Sequence, residues 1–408
     1  MLARETPALS RRSVLGASMA VFAWAQIPRF ARASSARDPR FVVMILRGAM
    51  DGLSAVAPIG DPDYSRHHGD LALRWDGDRP ALRLDDFFGL NAAMPNFYRL
   101  YGAKRATAFH ATATNYRDRS HFDGQDVLES GMPGVGQVES GWLNRALAAL
   151  PASERARVPS GLAVGATPPL VMRGPAPTLG WATSGLASPT QDLAQRLMDI
   201  YGHVDPRLAK ALREGLDAER LASTKGMEAL KPGGDLPALM VKSAQAAARM
   251  MSADDGPRVA AMAFDGWDTH VNEGGPIGRL AQLLGGLDDA FAAFERELGP
   301  SWKDTAIVAV TEFGRTVEIN GTTGTDHGTA TAAFLVGGAV AGGRVVADWP
   351  GLKTGDLHEG RDLKPTLDLR SVLKGVLADH LGLSAGVLGT KVFPESLGVR
   401  PMAGLIAA

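Results

Sequence analysis

Phe264-Asp265-Gly266-Trp267-Asp268-Thr269-His270 and Thr311-Glu312-Phe313-Gly314-Arg315-Thr316 decide the fold. Each continues an apolar run, residues 258–264 and 305–311, that ends abruptly in polar groups able to ligate a metal. Between them, Leu280, Leu283, Leu284, Leu287, Phe291 and Phe294 recur at helical spacing over residues 277–298. Strand, helix and strand in that order make a βαβ crossover, which joins parallel strands. The fold class is therefore α/β, with a mostly parallel central sheet. In such a sheet, ligands collect just past the carboxyl ends of the strands. Asp265, Asp268 and His270 stand there after the first run, and Glu312 after the second. Asp326 and His327 follow in a Gly/Thr-rich loop whose Gly324 and Gly328 permit the chain to turn. These carboxylates and imidazoles form a candidate site for divalent metal ions such as zinc, manganese or magnesium.

Working outward, residues 41–46 read as another buried parallel strand, running into Arg47-Gly48-Ala49-Met50-Asp51-Gly52. That turn adds Asp51 to the acids at strand ends. Residues 58–91 read as a covering loop, with His67 and His68 facing solvent. A helix is expected over 91–101 and a strand over 106–111. The latter ends in a dense polar stretch containing Arg117, Arg119, Ser120, His121, Asp123 and Asp126. Ser120 or Asp118 suits the cap of a following helix. A serine at the positive end of a helix dipole equally suits anion binding or nucleophilic attack, so both roles stand. Arg117, Arg119 and Arg315 have the planar fork that clamps an anion. Further along, a helix is expected over 142–150, strands over 162–165, 169–172, 333–336 and 344–346, and helices over 187–252 and 367–381.

The totals limit the function classes. The chain has 408 residues, 45% of them hydrophobic, with Lys+Arg 43 against Asp+Glu 44 and a net charge of −1. That balance gives no basic stripe for nucleic acid. With no cysteine, disulfides, iron–sulfur clusters and thiol nucleophiles are excluded. No GxGxxG follows the first strand, which disfavours a dinucleotide-dependent redox enzyme. At the front, Ser10-Arg11-Arg12-Ser13 precedes an apolar stretch over 15–25 and the small-x-small pattern Ala31-Arg32-Ala33. Paired arginines before such a run mark a twin-arginine (Tat) leader over residues 1–33, and hence a periplasmic or secreted protein. The run is too short for a stable membrane span.

The ordered set of this leader, LRGAMDGLS, RSHFDGQDVLESG, GWLNR, FDGWDTH, TEFGRT, GTDHG and GGRVVADWPGL resembles the domain-of-unknown-function family 1501, DUF1501. That family is placed in the alkaline-phosphatase-like superfamily, with sulfatases and phosphatases. The resemblance implies a single domain over residues 38–400, an alkaline-phosphatase-like three-layer sandwich with a metal site at its strand ends. It also implies that Asp51 bridges metal and nucleophile and that Ser120 is the nucleophile. His270 would pair with Asp268 or Asp265, and Asp326 with His327, as metal ligands. The superfamily's adjacent Asp-His pair usually follows its strand directly; here Glu312-Phe313 stands there. Glu312 is then a ligand in its own right, or the site is rearranged. The absence of a Cys-x-Pro-x-Arg stretch argues against a formylglycine sulfatase. The expected function is an exported metal-dependent hydrolase of phosphate or sulfate esters. Ser120 or water would attack, His121 would assist, and a small anionic ester would be the substrate. The alternative is a catalytically inactive relative that binds or assists envelope assembly.

Overall fold

The computed structural model describes residues 37–151, 161–165, 167–181, 197–198, 212–213 and 235–407. The leader over 1–33 and most of the helical stretch expected over 187–252 lie outside the described residues. In chain order the strands are β1 (Arg40–Arg47), β2 (Val56–Ala57), β3 (Leu82–Arg83), β4 (Gly89–Leu90), β5 (Ala106–Ala113), β6 (Gly161–Val164), β7 (Thr178–Trp181), β8 (Val259–Asp265), β9 (Thr305–Val310), β10 (Arg315–Ile319), β11 (Thr325–His327), β12 (Thr331–Val336), β13 (Arg344–Val346) and β14 (Leu367–Asp368). The main sheet has the order β13-β5-β12-β9-β1-β8-β6-β7, with β14 also on β5. Only β12 runs against the rest, lying antiparallel to both β5 and β9.

The strand β1 is central because both of its faces are apolar. Val42, Met44 and Leu46 enter one core, and Phe41, Val43 and Ile45 enter the other. The first core is covered by the helices Pro95–Gly102, Leu236–Met251 and Arg279–Leu298; the second by Trp142–Ala149 and Leu369–Leu381. This is the three-layer α/β arrangement that the family resemblance implies. Residues Pro39–Ala408 form one compact unit. The crossover helix Arg279–Leu298 joins β8 to β9 across β1, which pairs with both in parallel. The registers Arg47↔Asp265 and Ile45↔Val310 bring the carboxyl ends of all three strands to one level.

Two expectations differ from the structure. Residues 169–172 do not form a strand: Leu170–Met172 is a 3-10 turn, and the strand lies later at Thr178–Trp181. An apolar triplet after two prolines packs its side chains equally well from a turn, because Val171 and Met172 need only one buried face. The loop histidines are not solvated. His67 and His68 are buried, since the short helix Tyr64–His68 packs beside β10. Among the described residues, no helix is long and apolar enough to cross a membrane.

Candidate metal centre

Several segments meet at the carboxyl end of the sheet: the turn after β1, the loop after β8, the segment after β9, and the helix His121–Ser130 that follows β5. The hairpin β10–β11 brings His327 there as well, paired with Arg315.

Three imidazoles and one carboxylate converge. His327 Nε2 lies 2.9 Å from His121 Nε2 and 2.9 Å from His270 Nε2. Asp268 Oδ1 is 3.1 Å from His270 Nε2 and 3.4 Å from His327 Nε2, while Oδ2 is 3.4 Å from His121 Nε2. One ligand atom from each of His121, Asp268 and His327 falls within 4.8 Å of the others.

Each ring is also held from behind. His121 Nδ1 lies 2.8 Å from Glu312 Oε1, His327 Nδ1 3.0 Å from the carbonyl oxygen of Arg119, and His270 Nδ1 3.3 Å from Asp326 Oδ1. A carbonyl oxygen or an ionised carboxylate can only accept. The outer nitrogen of each ring therefore carries the hydrogen, and each Nε2 turns a lone pair inward. Three lone pairs and a carboxylate facing one another repel unless positive charge sits among them. Protons would do this only by making imidazolium cations side by side. One divalent cation among His121, Asp268 and His327 offsets that repulsion, with His270 beside His327 and Asp268, and carboxylate or carbonyl support behind a histidine is the usual arrangement at metal sites. The residues fit a metal ion.

The electrostatics of the individual groups agree. Burial raises the Asp268 carboxyl, but the Arg315 guanidinium and then His270 and His121 outweigh it and hold the group below its usual range. Burial likewise raises Glu312, but donors from His121, Gln125 and Gly48 bring it down. The bond to Glu312 raises His121 against the effect of burial. Burial and then the neighbouring His121 lower His327.

Glu312 and Asp326 thus stand behind His121 and His270 instead of among the converging atoms. Glu312 Oε1 also accepts from Gly48 N at 2.9 Å and Gln125 Nε2 at 3.1 Å, and Oε2 accepts from Thr311 Oγ1 at 2.9 Å. Gly48 has φ +120, and a Cβ there would lie 2.5 Å from Asp268 N, so only glycine lets the β1 and β8 loops approach this closely. Asp265 is exposed at the tip of β8, and the buried Trp267 separates it in the chain from Asp268.

Asp51 belongs to a different cluster. It is fully buried, accepts from Leu53 N at 2.9 Å as the cap of the short helix Gly52–Ala55, and lies 3.2 Å from His68 Nε2. His68 Nε2 is also 2.8 Å from Ser54 Oγ. Burial, then the charge of Asp51, pushes the buried Glu273 carboxyl well up, and Glu273 Oε2 accepts from Thr325 Oγ1 at 2.6 Å. Nothing in the spacing of Asp51, His68 and Glu273 announces this network.

The three arginines expected to grip an anion bind the protein instead. Arg315 is buried and donates to the carbonyls of Ala49, Gly48, Thr325 and Trp267 and, at 2.6 Å, to Asp268 Oδ1. It ties together the loops that carry the site. Arg117 donates to the carbonyls of Thr114 and Tyr116, and Arg119 pairs with Glu359 and Asp362. Ser120 occupies the N-cap position of the helix His121–Ser130, but its side chain makes no cap bond. Its hydroxyl is therefore not spent on the helix. Gln125, Glu359 and Asp362, which sequence reasoning missed, support the ligands through partners distant in the chain.

The chain belongs to the family described as Protein of unknown function (DUF1501), whose model matches residues 100–392. No curated protein matches it. Among solved structures it is similar to Ps i-CgsB in complex with k-i-k-neocarrahexaose, at 11% identity over 89% of this chain and 74% of that one, TM-score 0.45. It is also similar to the phosphonate monoester hydrolase of Agrobacterium radiobacter, at 10% identity over 85% of this chain and 74% of that one, TM-score 0.36. Alkaline phosphatase from the Antarctic bacterium TAB5 is similar at 13% identity over 76% of this chain and 95% of that one, TM-score 0.33.

Proposed function

We propose that the protein is an exported metal-dependent hydrolase of phosphate or sulfate esters, with one divalent cation held by His121, Asp268, His270 and His327. The observation that carries this is the inward convergence of three imidazole Nε2 atoms and one carboxylate, each ring fixed from behind. A nitrogen-rich set favours zinc or another transition ion over magnesium. When bound, such an ion supplies positive charge that offsets the charge developing on ester oxygens. Ser120 stands one residue before a ligand, at the start of a helix and with no cap bond, and is the proposed nucleophile, with water as the other candidate. Arg315 holds Asp268 in place. The leader over 1–33 directs the protein through the twin-arginine route to the periplasm or beyond.

A second reading has its own support. The guanidinium groups of Arg117, Arg119 and Arg315 are all engaged with protein carbonyls and carboxylates. A protein that keeps the ion for binding or envelope assembly needs no anion clamp. Metal analysis of protein purified without chelator, followed by assays with aryl phosphates and aryl sulfates, separates the readings. Bound metal with turnover lost in Ser120→Ala or His327→Ala supports the hydrolase. Bound metal without turnover supports the binding protein, and the absence of bound metal under zinc supplementation rejects both.

A further inference from the structure

Arg119 has a backbone that its side chain should avoid. Its φ is +59, in the left-handed region that a residue bearing a Cβ rarely adopts. Such strain persists only where the surroundings over-determine it. Here they do. Asp362, whose side chain is 0% exposed, takes Arg119 Nε at 2.8 Å and Nη2 at 2.7 Å on Oδ2. Glu359 takes Nη2 at 2.5 Å. The other oxygen of Asp362 accepts from Arg361 Nε at 2.9 Å, and Arg361 Nη2 donates to the carbonyl oxygen of His327. The backbone of Asp362 bridges to Thr316 on β10, the strand paired with the one that carries His327. The result of the strain is the direction of one carbonyl: Arg119 O lies 3.0 Å from His327 Nδ1.

We infer that Arg119 and Asp362 form a positioning clamp that aims His327 at the cation. The ion pair holds the strained peptide so that its carbonyl takes the Nδ1 hydrogen, which leaves Nε2 as the donor facing His121, His270 and Asp268. The same loop grips the main chain of His327 through Arg361. Arg119 is thus a positioning residue for the metal, acting through its own backbone. Two charged groups converge on that backbone from a loop some 240 residues later, which a merely solvated arginine would not require.

The inference rests on the metal-centre reading, and the test keeps the two apart. Chelator-treated protein is titrated with cobalt(II), reading affinity and the visible ligand-field bands, for the wild type, Arg119→Ala, Arg119→Gly and Arg119→Lys. Arg119→Ala keeps the backbone penalty and loses the clamp, so its cobalt affinity is expected to fall about 10- to 100-fold, as for other groups supporting a ligand. Arg119→Gly loses the clamp but adopts the same φ freely, so its loss is expected to be several-fold smaller. Arg119→Lys retains a charge for Asp362 and is expected to recover part of the affinity. Far-UV circular dichroism verifies folding, and Gly and Lys carry the comparison if Ala does not fold, a loss in Lys greater than in Gly then counting against the clamp. Wild-type-like cobalt binding in Ala, equal losses in Ala and Gly, or no recovery in Lys overturns the clamp while the metal centre stands. No cobalt binding by the wild type overturns both.

Discussion

Glu312 decides which nitrogen of His121 faces inward. Its Oε1 accepts from Gly48 N, His121 Nδ1 and Gln125 Nε2, and its negative charge backs the Nδ1 hydrogen of His121; an amide keeps one oxygen for these donors but removes that charge. Glu312→Gln is expected to lower zinc affinity about 10- to 100-fold, measured by competition with a chromophoric chelator; an unchanged affinity would mean that His121 is not a ligand. His110 offers a pH test away from the ligands. Burial lowers it to about 4 from 6.5. Its Nδ1 accepts from Ala111 N at 2.7 Å and its Nε2 donates to Val56 O at 2.8 Å, so a second proton has no place to go. The unfolded chain binds that proton first. Stability is therefore fully present above about pH 6.5 and falls as the pH drops toward 4, by about 2–3 kcal/mol from this residue. Urea unfolding at pH 7 and pH 4.5 checks it: His110→Gln is expected to be less stable at pH 7 yet to lose less between the two. At this scale the sequence was only partly legible. Asp268, His270, His327 and His121 stand out as polar residues after apolar runs. The same pattern marks Glu312, Asp326 and Asp51, because chain position does not tell which side of an imidazole a carboxylate will reach.

Elements were read more securely, since continuous apolar runs bounded by polar turns have few other ways to fold. Thus β1, β8, β9 and the crossover helix stand where periodicity places them, while the short run near Val171 was compatible with strand or turn. What periodicity does not disclose is how one element caps another. The helix Pro95–Gly102 has no cap from its own Met94. Asp288, on the crossover helix, supplies it across space, accepting from Asn96 N at 2.9 Å and Phe97 N at 2.7 Å. Removing it in Asp288→Ala leaves two donors unanswered, the buried Phe97 N and the half-buried Asn96 N, and is expected to cost about 1–3 kcal/mol in urea unfolding without altering zinc affinity. A loss below a few tenths would show that water replaces the cap.

With a cation bound as proposed, the whole molecule would couple its stability to the ion, because the proposed ligands and their supports come from segments next to β1, β5, β8 and β9 and from the β10–β11 hairpin. An ion that binds only the folded chain at 100 times its Kd stabilises it by about 2.7 kcal/mol. Removing metal with a chelator is therefore expected to lower Tm, and zinc to restore it; Tm values that coincide would place the ion outside the folded core. The single reversed strand, β12, bears on this coupling. Its rungs Phe334↔Ala309 and Phe334↔Ala108 lie well inside the sheet, while His327 hangs on a hairpin just before the strand begins. A change in the length of that hairpin moves the imidazole and leaves those rungs in place. Ladder and hairpin are in this sense separately heritable: the first writes the scaffold, the second the place of one of the four side chains proposed to hold an ion.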